Sequence, residues 1–232
     1  MASVRLEEFL QPISRALEHT HVPESVKPYD TFAGPQRELL AHATQEDCIA
    51  LLKQEAQALG TLVREATPET TAQVITDLVK ELEGADVVFA DSPEADRYDI
   101  PQALAAAGAN AYRWDAQNPQ ESIAQAEKAQ VGISFAYGAI AETATVVQES
   151  TKNSGRAICL LPEAHIAVVK KKSVVARMVH ILDQLEERIA NKEVLPSNIT
   201  FISGPSNTAD IELVRVVGVH GPVHAAIVLV DE

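Results

Sequence analysis

Asp86-Val87-Val88-Phe89-Ala90-Asp91 decides how the rest of the chain is read. Four apolar residues run together between two aspartates with no polar alternation. Such a run reads as a strand buried on both faces, as in parallel sheets covered by helices. Val131-Gly132-Ile133-Ser134-Phe135 repeats the pattern, and 61–64, 109–114, 144–149, 165–169, 199–202 and 225–230 read as further strands. Helical spacing fills the intervals over 45–59, 68–82, 118–129 and 173–189. Thr44 is placed to cap the first of these helices and Gly60 to stop it, while Thr67-Pro68 puts a proline at the start of the second. Strands alternating with helices predict an α/β fold, a sheet with helices on both faces. Such sheets hold ligands at the carboxyl ends of their strands, so the loops after Ala90, from Tyr137 to Thr145 and at Gly204 are the expected site.

Upstream, residues 4–19 carry a helical stripe of Leu6, Phe9, Leu10, Ile13 and Leu17, interrupted by Pro12. Residues 20–36 hold Pro23, Pro28, Gly34 and Pro35 and predict a loop. The expected organisation is an N-terminal helix and loop arm over 1–36 and an α/β domain over 37–232.

The 232 residues include 33 acidic and 19 basic side chains, a formal net charge of −14. That balance argues against nucleic acid and anionic membranes as partners. The charge is uneven: residues 152–180 hold six basic side chains against the single acid Glu163. Within it, Lys170-Lys171-Lys172 reads as a solvated strand end. No apolar run approaches the roughly 20 residues of a membrane span, and the acidic N-terminus lacks a signal-peptide core, so a cytoplasmic location is expected. The two cysteines, Cys48 and Cys159, belong to no Cys-x-x-Cys pattern, and no Gly-x-Gly-x-x-Gly or P-loop sequence is present. The chain is therefore expected to carry neither its own redox centre nor a standard nucleotide cradle.

Three polar loops carry the candidate chemistry. Gly138-Ala139-Ile140-Ala141-Glu142-Thr143-Ala144-Thr145-Val146-Val147 sets a carboxylate and two hydroxyls among small residues, ahead of a β-branched run. Ser203-Gly204-Pro205-Ser206-Asn207-Thr208-Ala209-Asp210-Ile211-Glu212 and Gly218-Val219-His220-Gly221-Pro222 follow. Glu142 suits a general base or nucleophile; it equally suits holding a backbone N–H or pairing with Arg156. Thr143 and Thr145 offer hydroxyls, and Arg156, near Lys152, is the natural anchor for a carboxylate or phosphate. Ser206, Asn207 and Thr208 suit either a capped turn or an anion site. His220 sits between glycines that permit close approach, whereas His165 at a strand start reads by itself as a packed histidine. His220 and His224 lack a third ligand, so no metal is expected.

Taken in order, these segments resemble the lactate utilization protein C family, whose members carry the LUD domain. The resemblance rests on Ala141-Glu142-Thr143-Ala144-Thr145, Leu160-Leu161-Pro162-Glu163-Ala164-His165-Ile166-Ala167-Val168-Val169, the Gly204 loop and the Gly218 loop. It covers about residue 131 to the C-terminus. Ala144 stands where the family pattern has Gly, and alanine disfavours the positive φ that glycine permits.

The resemblance implies a Rossmann-like sheet related to the sugar-phosphate isomerase and CoA-transferase fold. It implies a subunit that helps oxidise L-lactate to pyruvate, binding a small organic anion or completing a complex with iron–sulfur partner proteins that hold the clusters. The alternative is a stand-alone sugar-phosphate isomerase or CoA-transferase-like enzyme using Glu142. A ligand-sensing or scaffold module, its 20–36 loop rearranging on binding, is a third reading. The oligomeric state stays open, with a homo-oligomer among the options.

Overall fold

A computed structural model describes residues 6–18, 34–208 and 216–232. Most of the expected 20–36 loop lies outside these residues, as does the Asp210-Ile211-Glu212 end of the Gly204 loop. The chain divides into two units, 1–37 and 38–232. The first contains helix α1 (Leu6–Ala16), which accommodates Pro12 in its interior.

Among the described residues eight further helices follow: α2 (Pro35–Glu38), α3 (Gln45–Ala58), α4 (Thr71–Glu81), α5 (Pro93–Arg97), α6 (Ile100–Ala106), α7 (Pro119–Lys128), α8 (Ala157–Leu160) and α9 (Met178–Ala190). The strands are β1 (Leu62–Ala66), β2 (Asp86–Phe89), β3 (Asn110–Arg113), β4 (Val131–Phe135), β5 (Gly138–Ile140) and β6 (Thr145–Ser150). They continue with β7 (Ala164–Lys170), β8 (Val174–Val175), β9 (Asn198–Ser203), β10 (Asn207–Thr208), β11 (Val216–Val217) and β12 (His224–Val230).

Six strands form a central sheet in the order β1-β12-β7-β4-β2-β3, every neighbouring pair parallel. Both of its faces are covered, which explains the unbroken apolar runs. In β7, for example, Ala164, Ile166 and Val168 point into a core with Ile75, Leu78, Ile100 and Leu104 of α4 and α6. Ala167 and Val169 point the other way, toward Cys48 and Leu52 of α3. Helix α3 begins at the predicted cap: Asp47 N–H donates to Thr44 Oγ1 at 3.2 Å, and Thr44 N–H donates back to Asp47 Oδ2 at 2.9 Å.

A second sheet departs from the single-sheet expectation. The runs at 144–149 and 199–202 do form strands, but β6 and β9 pair antiparallel with each other, and β5 pairs antiparallel with β6. This four-stranded sheet, ordered β8-β5-β6-β9, stacks on the central one through Ala139, Val146, Ala167, Val169, Ile227 and Leu229. Its outer face carries Ile140 and Val147 against Ile181 of α9. The helix expected over 173–189 begins only at Met178, because the β-branched Val174 and Val175 extend the sheet beside Ala139 and Ile140. Helix α4 likewise starts at Thr71 rather than at Pro68. Thr71 Oγ1 donates to Thr67 O at 2.7 Å, leaving Pro68 in the preceding turn.

Two glycines set the spacing of the layers. A Cβ on Gly132 of β4 would lie 1.9 Å from the Ile158 carbonyl oxygen of α8, and one on Gly155 would lie 2.1 Å from the Trp114 ring. Both allow α8 to sit directly on the sheet. Among the described residues, no helix is long and apolar enough to cross a membrane.

Candidate functional site

The path of the chain through the central sheet creates a crevice. From β2 it moves outward to β3, then returns to β4 on the other side of β2 and continues through β7 to β12. The reversal leaves the carboxyl ends of β2 and β4 without a connection between them, the position at which open α/β sheets bind ligands. A cavity of about 360 Å³ opens there. Residues 90–94 after β2, 135–137 from β4, Val168 and Lys170 of β7, and Gln148, Glu149, Thr151, Asn153 and Ser154 at the far end of β6 line it.

Charges in this cleft come in pairs. Asp91 faces Arg113 at 3.2 Å, Glu94 faces Lys170 at 2.8 Å, and Glu149 is held by Arg188. Burial pushes the Glu94 carboxyl up, but its bonds to Lys170 and Ser92 outweigh that and hold it below the usual range. Glu94, and after it Glu232 at 3.3 Å, keep the Lys170 ammonium above its ordinary value. Lys170, read in sequence as part of a solvated run, is partly buried, lines the cleft and is paired with Glu94 and Glu232. Ser92, Tyr137, Thr151 and Ser154 line the same cleft.

The sequence pointed to this cleft only through Asp91 and the Tyr137 loop. Ser92, Glu94, Gln148, Glu149, Asn153 and Lys170 were missed. The signal for several of them was available: each polar residue directly following an apolar parallel strand lies at the binding edge of the sheet.

The predicted site residues distribute differently. Arg177, not Arg156, pairs with Glu142: Arg177 Nε donates to Glu142 Oε2 at 2.7 Å. Glu142 precedes β6 and Arg156 follows it, and a six-residue strand separates its ends by about 20 Å. Arg156 is exposed and lines neither the cleft nor the cavity described next. Thr143 and Thr145 share a hydrogen bond at 2.7 Å, and Thr145 Oγ1 reaches Ser203 Oγ at 2.6 Å. Ala144 adopts φ +44° and ψ +42°, the left-handed conformation that glycine takes without strain and that an alanine holds here.

Ser206, Asn207 and His220 do meet. With Cys159, His165, Ser203 and Pro222 they line a second cavity of about 280 Å³. Thr208 lies beside it in a two-residue ladder opposite Val216. The Gly204 loop follows an antiparallel strand, so it does not join the cleft. It closes over His165 and Ala225 at the amino ends of β7 and β12, the opposite end of the central sheet.

A buried chain of side chains runs between the two cavities. Ser134 Oγ lies 2.9 Å from Gln148 Oε1 and 2.8 Å from His165 Nε2, and all three residues are at most 3% exposed. Gln148 Nε2 faces the carbonyls of Phe135 and Glu149, so Oε1 is the atom turned to Ser134. Burial pushes the His165 imidazole down to about 4.

The LUD domain family model matches residues 49–230. The chain belongs to the LUD domain family. Relatives include the lactate utilization protein C of Bacillus subtilis (strain 168), 35% identical over 230 residues that cover 97% of this chain and 96% of that protein. The protein of the same name from Geobacillus thermodenitrificans (strain NG80-2) is 34% identical, covering 97% and 96%. That of Oceanobacillus iheyensis is 31% identical over the whole of both chains. Among solved structures, a DUF162 family protein from Deinococcus radiodurans superposes with a TM-score of 0.60 at 19% identity, covering 81% of this chain and 98% of that one. At that identity the likeness shows a shared fold. The α/β architecture expected from the apolar runs is thus the architecture of a LUD domain.

Proposed function

We propose that this chain is a subunit of a lactate utilization system that oxidises L-lactate to pyruvate, releasing two electrons and two protons to separate iron–sulfur partner proteins. The observation that carries this reading is the match, over almost the full length of both chains, to relatives named lactate utilization protein C. The cysteines support placing the clusters on partners. A cluster of the four-thiolate kind needs four cysteines, whereas this chain has two, buried in different parts of the domain.

Its own contribution is to hold a small organic anion in the cleft at the carboxyl ends of β2, β4 and β7. Lys170 supplies the counter-charge, and the hydroxyls of Ser92, Tyr137 and Thr151 supply hydrogen bonds to the carboxylate and 2-hydroxyl. An anion entering there exchanges Glu94 or Glu232 as the partner of Lys170. Among the described residues, the lining of the cavity at the other end of the sheet has no lysine, arginine or acid, which favours the cleft for a charged ligand.

The test combines two measurements. Tagged protein isolated from cells growing on L-lactate should bring down cluster-bearing proteins with it. L-lactate titrated into the purified chain should bind saturably, with at least about five-fold loss of affinity in Lys170→Met. Absence of any cluster-bearing partner refutes the subunit assignment; lactate binding indifferent to Lys170→Met refutes the cleft.

A further inference from the structure

We infer that the 280 Å³ cavity beneath the Gly204 loop binds a small uncharged ring compound carrying a hydroxyl or N–H group, whose proton is accepted by Nδ1 of His165. The hydrogen-bond chain behind the histidine fixes this polarity. Gln148 Oε1 only accepts, so Ser134 gives it the one proton its hydroxyl has. Ser134 Oγ then serves as acceptor, and His165 Nε2 must carry the proton between them. The imidazole is neutral in this buried position, which leaves the lone pair on Nδ1. That atom has no protein partner among the described residues, although the side chain is 98% buried and lines the cavity. Nδ1 is not sealed from the cavity: the one fully buried side-chain acceptor without a partner among the described residues is Thr61 Oγ1, so a donor entering the cavity can reach the lone pair of His165.

The rest of the lining sets the ligand class. Phe201, Ile202, Pro205 and Pro222 give apolar walls beside the polar Ser203, Ser206, Asn207 and His220, and among the described residues the lining includes no lysine, arginine, aspartate or glutamate. A carboxylate or phosphate placed here would lose its hydration without a counter-charge. The volume suits one substituted ring: an apolar cavity of about 150 Å³ already holds benzene. Cys159, which also lines the cavity, donates its thiol to Arg156 O, and burial raises it to about 11, so it remains a neutral thiol. The site lies at the opposite end of the sheet from the organic-anion cleft and stands or falls independently of it.

Phenol, toluene and benzoate, titrated into the full chain, test the inference. Binding is followed through the ring nitrogens of His165 by long-range nitrogen–proton NMR. Phenol is expected to saturate, to shift the bare Nδ1 resonance, and to bind at least ten-fold tighter than toluene, with benzoate failing to bind. His165→Phe should make phenol and toluene equal; should that variant fail to fold, the nitrogen shift in the wild type decides between the outcomes by itself. The inference is overturned by equal binding of phenol and toluene to the wild type, by benzoate binding as well as phenol, by phenol binding with Nδ1 unmoved, or by no saturable binding of phenol.

Discussion

Arg177 and Glu142, 35 positions apart, form an ion pair at 2.7 Å that ties the Ala141–Thr143 turn to the start of α9. Both side chains are less than a third exposed, so the pair is stronger than an ordinary surface bridge yet still touches water. A double-mutant cycle with Glu142→Gln and Arg177→Met is expected to give a coupling of about 1–2 kcal/mol in urea unfolding. Glu142→Gln keeps the shape of the side chain and should still support growth on L-lactate. Loss of growth with unchanged stability would instead give Glu142 a chemical role.

Ala144 stores strain at φ +44° while being 1% exposed. A left-handed alanine costs about 1–2 kcal/mol, more than the extra chain entropy that glycine loses on folding. Ala144→Gly is therefore expected to be neutral or stabilising by up to about 1 kcal/mol. The same change at Ala139, equally buried but in the regular strand β5, should cost about 1 kcal/mol. Equal losses at the two positions in thermal unfolding would contradict the strain.

His165 predicts an acid-sensitive fold. Unfolded, its imidazole takes a proton near pH 6.5; folded, it resists until about 4. Between those values the unfolded state holds the extra proton, so stability falls as pH drops from about 6.5 to 4, by about 3 kcal/mol in total for this group. Stability above pH 6.5 is unaffected by it. Urea midpoints measured from pH 4.5 to 7 should show a shallower decline in His165→Gln than in the wild type. Parallel profiles would show that the imidazole titrates freely in the folded chain.

Gly132→Ala should be among the most damaging single changes, because the new methyl would meet the Ile158 carbonyl oxygen at 1.9 Å, and backbone has little room to yield. A loss of about 3 kcal/mol or more is expected. Gly60→Ala, with open space around the position, should lose less, through its φ of +76° alone. Emission from the single tryptophan, Trp114, whose indole N–H is bonded to Lys152 O at 3.1 Å, reports both unfolding transitions.

Parallel strands are the most legible part of the fold. Val131–Phe135 matches its apolar run to the residue, and 86–90 and 225–230 match to within one, because burial on both faces leaves an uninterrupted apolar signature. The antiparallel layer is legible as strands but not as a separate sheet. Val146 and Val147 are apolar on both sides because β6 lies between the central sheet and α9, so its composition mimics a parallel strand. That ambiguity also misplaces the Gly204 loop, which a parallel β9 would have carried to the carboxyl edge. Ser206, Asn207 and His220 are recognisable as neighbours, whereas the Glu142–Arg156 pairing fails. Chain proximity favours Arg156, but the intervening strand carries it away, and nothing in the local sequence announces that α9 brings Arg177 back.

The rate of L-lactate oxidation by cells lacking this gene tests the central claim most directly. Respiration on L-lactate should fall to background and return with a plasmid copy of the wild-type chain, while respiration on pyruvate stays unchanged. Normal L-lactate oxidation in the deletion strain would contradict the assignment.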